Sequence, residues 1–389
     1  MEMIYLDSNA TTKIAFDVLD KMTPYLTELY GNPSSIHTFG RQLHDKIEEA
    51  RAKVAELMGA EPEEIVFTSC GTESNNTALM SAVESYPDKR HIVTTCVEHP
   101  AVLNFAGHLA RKGYRVTYLP VDNLGRLDMD VFSKVLDDDT AVVSIMYANN
   151  ETGVIFPIEE IGEILRERKT LFHTDAVQAA GKVPIDVKKL PVDMLSLSGH
   201  KLHAPKGIGA LYVRKGTRFY PYIIGGHQEN RRRAGTENVA SIIGLGKACE
   251  LAGENLEKEA GYLSALRDKL ERNLLRLCPD ARVNGDTEHR LPNTTNMSFE
   301  YVEGEAILLR LDEYGICASS GSACKSGSLK PSHVLRAMGV PSTAIHGSIR
   351  FSLSRCNAEA EIDKAIEIMP GIIRDLRELS PYGREKIRK

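Results

Sequence analysis

Between residues 40 and 250 short apolar runs alternate with amphipathic stretches, and this alternation limits the possible folds more than any other feature of the chain. Strands are expected at 65–68, 92–95, 116–119, 141–147, 171–174, 194–197 and 209–213, with helices at 43–57, 73–85, 101–112 and 158–169 between the earlier ones. Strands that are apolar throughout, joined by helices, predict an α/β fold with a mostly parallel sheet covered on both faces. Beyond Glu250 the texture changes to a long charged helix at 256–277, strands at 296–299 and 349–353, and helices at 304–314 and 359–379. That pattern predicts a smaller α+β unit. A chain of 389 residues is too long for one core, so two domains are expected. They are a large unit over 15–255 and a small one made of 1–14 with 256–389, the first dozen residues running back across it or along the cleft.

A net charge of −5 gives no reason to expect nucleic acid or an anionic membrane as partner. No apolar run approaches the roughly 18 residues that a membrane span requires. The opening Met1-Glu2-Met3-Ile4-Tyr5 lacks the basic and apolar regions of a signal peptide. The seven cysteines are odd in number and none has C-x-x-C spacing, so a reducing cytoplasm and no metal site are expected.

Ser198-Gly199-His200-Lys201 follows one predicted strand, and His173-Thr174-Asp175-Ala176-Val177-Gln178 ends another. Pyridoxal phosphate needs such a pair: the Lys201 amine condenses with its aldehyde, and the Asp175 carboxylate keeps its ring nitrogen protonated so that the ring takes up electrons. A lysine after a strand is more commonly a solvated surface residue. Between strand and helix, Ser69-Cys70-Gly71-Thr72-Glu73 offers an anion site, with Gly71 for close approach, the Thr72 hydroxyl and the helix N–H groups. Ser198 and His200 could complete a phosphate shell. The plainer reading is an N-cap by Ser69 or Thr72. Walker and Rossmann glycine patterns are absent, which disfavours nucleotides. Arg231-Arg232-Arg233-Ala234-Gly235-Thr236 reads either as a solvated face or as a segment reaching an active site across a dimer interface.

The run 319–328, Ser-Ser-Gly-Ser-Ala-Cys-Lys-Ser-Gly-Ser, surrounds Cys324 with small residues, so this thiol is expected to sit exposed on a mobile loop. An exposed cysteine is a liability unless its reactivity is used, and the adjacent Lys325 favours the thiolate. The alternative is an incidental surface thiol. The other six cysteines lie in apolar or helical contexts and are expected to be structural. His99 stands between strand and helix, where it could stack on a flat ring or be an ordinary loop histidine. Arg350 is a charge inside a strand pattern and needs an anion, either a substrate carboxylate or a structural partner.

Together these segments resemble the cysteine desulfurases of the NifS/IscS kind, within the fold-type I pyridoxal-phosphate enzymes. The resemblance runs from Tyr5-Leu6-Asp7-Ser8-Asn9-Ala10-Thr11-Thr12 through Ser198-Gly199-His200-Lys201 to Ser348-Ile349-Arg350-Phe351-Ser352, and Ser319–Cys324 matches the group with a long cysteine loop. It implies a large domain with a seven-stranded, mostly parallel sheet. Lys201 would hold the coenzyme, Asp175 pair with its ring nitrogen, Gln178 bond its phenolic oxygen and His99 stack on the ring. Gly71, Thr72, Ser198 and His200 would bind the phosphate, with Thr236 arriving from the second subunit of a homodimer. Asn150 would help hold coenzyme or substrate, and Arg350 the carboxylate of L-cysteine. Cys324 would carry the sulfur as a persulfide, release alanine and supply an iron–sulfur scaffold protein or a tRNA-thiolation pathway. The chain departs from the pattern at His227 and Lys330, and its end lacks the longer tail with which some relatives dock a scaffold. An aminotransferase of the same fold, a noncatalytic assembly partner and a preference for selenocysteine remain open at this stage.

Overall fold

The computed structural model describes residues 3–320 and 331–380. Its strands in chain order are β1 (Ile4–Tyr5), β2 (Ile65–Thr68), β3 (His91–Thr95), β4 (Arg115–Leu119), β5 (Thr140–Ser144), β6 (Leu171–Asp175), β7 (Met194–Ser198), β8 (Gly209–Val213), β9 (Ala281–Val283), β10 (Thr294–Phe299), β11 (Ile316–Cys317), β12 (Ser319–Ser320) and β13 (Ser348–Ser352). Seven of them form a sheet in the order β2-β8-β7-β6-β5-β3-β4, in which only β8 runs against its neighbours. Strands β2, β3, β5, β6, β7 and β8 are buried along their whole length, as a sheet with helices on both faces requires. The chain order reverses direction at β3, and the carboxyl ends of the strands open there onto a crevice, the usual place for a ligand in such sheets.

The helix Thr38–Met58 ends on Gly59, whose left-handed φ of 69° closes its last carbonyls. It packs along Val239–Leu277, a helix of 39 residues. A Cβ on Gly246 would lie 2.7 Å from the Ala50 Cα, so glycine is what allows the two backbones to approach. Residues Val239 to Ala252 of the long helix bury into the core beneath the large sheet. Leu263 to Leu274 bury into a second core with Leu6, Met297, Phe299, Ile349 and Phe351. That second core lies under a four-stranded antiparallel sheet, β12-β13-β10-β9. Along β10 alternate residues face opposite ways: Met297 and Phe299 enter this core and Thr295, on the same face, donates to Glu271, while Thr294, Asn296 and Ser298 make polar contacts on the other. The N-terminal segment joins the two parts: β1 pairs with β11, Asp7 bridges to Ser352 and Asn9 bonds to Ser352 and Thr294 on one side, while the Thr12 N–H donates to the His200 carbonyl on the other.

One buried ion pair holds the loop before the long helix. Arg51 donates to both Glu229 oxygens at 2.6 and 2.8 Å, and the Phe67 N–H adds a third donor at 2.9 Å. Glu229, Asn230 and Arg231 occupy left-handed φ values of 48, 55 and 68°, a strained run that this pair helps to fix. Arg51→Met should leave an uncompensated buried carboxylate and lower unfolding stability by about 3–5 kcal/mol, read as a fall in the urea midpoint. Arg51→Met combined with Glu229→Leu should recover part of that loss.

Candidate active site

Asp175 is the last residue of β6 and only 6% exposed. Its Oδ2 accepts from Asn75 Nδ2 at 2.6 Å and its Oδ1 from the Val177 N–H at 3.0 Å. Lys201 closes the single helical turn Gly199–Lys201 that follows β7. Its Nζ donates to the carbonyl oxygens of Asn9 at 2.5 Å and Ala10 at 2.7 Å, and Gln178 Nε2 reaches the same Asn9 oxygen at 3.1 Å. His99 caps the helix Pro100–Arg111, its Nδ1 accepting from the Ala101 N–H at 3.1 Å. Burial lowers the His99 pKa and the nearby Lys201 cation adds to this, opposed by Asp175. The ring is therefore neutral near pH 7, and because Nδ1 accepts, Nε2 carries the proton.

The helix Gly71–Ser85 starts after Cys70 with no side-chain cap, so neither Ser69 nor Thr72 satisfies its first turn. A Cβ on Gly71 would stand 2.7 Å from Val177 Cγ2 and 3.4 Å from Ser198 Cβ. The Ser198 Oγ is buried and has no hydrogen-bond partner among the described residues. Uncapped N–H groups, a glycine that only a bare backbone fits and an orphaned hydroxyl suit the phosphate of pyridoxal phosphate. Thr72 is exposed beside them. His200 Nδ1 lies 3.1 Å from Thr11 Oγ1, and burial pushes its pKa down to about 4, so it meets an anion as a neutral ring. Thr236 is exposed. The triple arginine is not one solvated face: Arg233 clamps Glu73 at 2.9 and 3.2 Å, Arg232 reaches the Ile65 carbonyl, and Arg231 is exposed.

Opposite, Arg350 lies in β13 and is 4% exposed. It donates to Asp7 Oδ1 at 2.8 Å and to the Asn150 carbonyl at 3.0 Å, while its Nε finds no partner among the described residues. The anion demanded by a charge in a strand is thus present as Asp7, and a donor remains for a further acceptor. A cleft of about 380 Å³ opens over Thr72, Asn76, His99, Asn104, Phe105 and His108. Arg350→Ala should raise KM for an amino-acid substrate by roughly 10- to 100-fold, the worth of a charge-assisted hydrogen bond, with a smaller change in kcat.

Several groups escaped the sequence reading. Glu98 is wholly buried, its Oε1 accepting from Thr95 and from the Met146 N–H, and burial drives its pKa up to about 8. Glu151, also buried, is pushed up to about 7 and accepts from Ser332 Oγ at 2.5 Å. The only signal for either was a carboxylate in an otherwise apolar or small-residue stretch. Cys324 lies outside the described residues, as does Lys330. On the near side of that stretch, Ser319 Oγ donates to Asp7 Oδ2 at 2.8 Å. Among the other thiols, Cys249 and Cys278 are buried and pushed up to about 12 and about 11. Cys356 is exposed, against the expectation of a structural role, because the loop after β13 turns it outward from the second core.

Residues 4–365 match the family model of the class-V aminotransferases. The chain belongs to that family. A cysteine desulfurase of Nostoc sp. strain PCC 7120 is 60% identical over 386 residues, 99% of this chain and 96% of the relative. A solved NifS-like protein superposes with a TM-score of 0.91 at 42% identity, covering 96% of this chain and 100% of that one. SspA, solved in complex with cysteine, follows with a TM-score of 0.80 and 36% identity over 91% of this chain and 100% of its own. Within the class-V family the chain therefore falls among the proteins of the NifS kind, and the mostly parallel seven-stranded sheet expected from sequence is theirs.

Proposed function

We infer that the protein is a pyridoxal-phosphate-dependent cysteine desulfurase, converting L-cysteine to L-alanine and passing the sulfur to Cys324. The observation that carries this reading is the meeting of Lys201 and Gln178 at the Asn9 carbonyl, with Asp175 and Lys201 both close enough to act on His99 and the Ser198 hydroxyl left without a partner among the described residues. Lys201 would hold the coenzyme, Asp175 face its ring nitrogen, and Gly71, Thr72, Ser198 and His200 take its phosphate, with Gln178 and His99 against the ring. When bound, the coenzyme supplies an electron sink for the pair released at the substrate α-carbon.

The remaining work belongs to side chains. Arg350, with Asn150 beside it, holds the substrate carboxylate. Lys201 Nζ takes the proton from the α-carbon, and neutral His99 offers Nε2–H for proton movement near the substrate thiol. The Cys324 thiolate attacks the substrate sulfur; an S–S bond forms as the Cβ–S bond breaks, its electron pair stays with the carbon skeleton, and protonation there yields alanine.

The two-domain division at residue 255 is supported by the change of core along the long helix between Ala252 and Leu263. A homodimer is supported by apolar side chains left in water, including Phe16 at 80%, Ile36 at 90% and Ile224 at 86% exposure. In it Thr236 would reach the partner's phosphate site. The sulfur acceptor would be an iron–sulfur scaffold or another thiolation partner. No helix among the described residues is long and apolar enough to cross a membrane, and the described cysteines are free, which suits a reducing cytoplasm.

Coenzyme-loaded protein given L-cysteine and a dithiol should release alanine and sulfide in equal amounts. Amino transfer that depends on a keto acid, with no sulfide, would contradict the reading.

A further inference from the structure

Beside the site lies a second lysine that the mechanism above does not use. Lys182 Nζ donates to the backbone carbonyl of Gln178 and to Gln178 Oε1, both at 3.0 Å. Gln178 Nε2 in turn donates to the Asn9 carbonyl, which also receives Lys201 Nζ. Three hydrogen bonds of 3.0, 3.1 and 2.5 Å thus connect the two amines through one side-chain amide and one peptide oxygen.

The two ends of a glutamine amide are nearly equal in size, so its neighbours decide which end points where. An ammonium group has only donors, and a carbonyl oxygen only accepts. The Asn9 carbonyl therefore requires Nε2 on its side, and Lys182, when charged, requires Oε1 on the other. One Nε2 hydrogen serves Asn9, and the second remains for an acceptor in the crevice. With Lys182 removed, a single contact holds the amide, and its donor end can turn away.

We propose that Lys182 is a positioning residue of this site, acting on the coenzyme through the amide of Gln178. The inference rests on the functional reading above, in which that amide meets the coenzyme's phenolic oxygen. The surroundings of Lys182 set the pH range over which it is charged. Its amine is buried, and burial together with the Lys201 and Arg350 cations brings its pKa down to about 7. His200 and His203 also feel its charge, and Glu259 and Arg355 line the small cavity it shares with Lys201.

The test is a pH titration of the absorbance of pyridoxal phosphate bound to the full-length protein. Loss of a cation and of an oriented donor both favour the protonated chromophore, so Lys182→Met should raise the titration midpoint by about one unit, a tenfold change in the equilibrium. Gln178→Ala should raise it similarly. The double variant should fall well short of the sum, because one side chain works through the other. Lys182→Arg, which keeps donor and charge, should stay close to the wild type. Lys182→Ala gives the same comparison if Lys182→Met does not fold. An unmoved midpoint, or shifts that add in full, would overturn the inference while leaving the functional reading intact. A wild-type protein that takes up no coenzyme sinks that reading itself, and this inference with it.

Discussion

Cys324→Ala should keep the coenzyme absorbance of the protein and its response to L-cysteine, yet lose alanine and sulfide release by roughly a thousandfold or more. The reason is chemical division of labour. Removing the α-proton requires an amine and an electron sink, and neither involves this thiol. Breaking the Cβ–S bond requires a nucleophile that takes the sulfur, and the thiolate is the form that attacks. Rival thiols are poorly suited. Cys249 and Cys278 are buried and held protonated, and Cys96 is also raised by burial. The exposed Cys356 follows β13 in a turn where its N–H reaches Ser354, and it has no glycine-rich surroundings. Cys70 precedes the helix Gly71–Ser85, and its Sγ is engaged as an acceptor from Ser69 Oγ at 3.6 Å. Alanine substitutions at Cys70 and Cys356 should therefore leave turnover within a few-fold of wild type. Loss at either one, with Cys324→Ala fully active, would move the sulfur-carrying role to that residue.

Lys201→Ala should abolish covalent retention of the coenzyme and reduce desulfuration by at least about a thousandfold, the upper range for a positioned proton-transfer group. Here the geometry makes the claim specific. The Lys201 amine is held just past β7 by the peptide oxygens of Asn9 and Ala10 of the N-terminal segment. Lys182 is not expected to take its place, because the Gln178 amide and the Asn9 carbonyl stand between its amine and that of Lys201. Gel filtration with absorbance of the eluted protein separates the outcomes: coenzyme should run with the wild type and exchange freely from the variant. Coenzyme held as tightly by Lys201→Ala as by the wild type would refute the assignment.

Much of this was legible in the sequence. Apolar runs located all seven strands of the large sheet: six are buried along their whole length and leave no other pattern, and the edge strand β4, with Arg115 and Tyr118 exposed, still showed Val116 and Leu119. Their ends were harder to place. The run 141–147 reads as one strand, but β5 stops at Ser144. The next N–H groups, of Ile145 and Tyr147, still reach carbonyls of β6 before the chain turns at Asn149. The long helix was expected to start at 256 and in fact starts at Val239, since Gly244, Gly246 and Gly253 weaken the local helix signal. Gly246 is needed there for contact with Ala50, a demand set by another helix.

The same contrast holds at the site. Asp175 and Lys201 could be read because strand ends in such sheets meet at a crevice. The Asp7–Arg350 pair could not, since its members are 343 residues apart and only the fold brings them together. The roles of Lys182, Glu98 and Glu151 are likewise set by neighbours, with no local motif to announce them.

The most direct test of the central claim is to add pyridoxal phosphate, reduce with borohydride and map the modified peptide by mass spectrometry. The label should fall on Lys201 alone. A label on Lys182, or none on a protein that has taken up the coenzyme, would contradict the account.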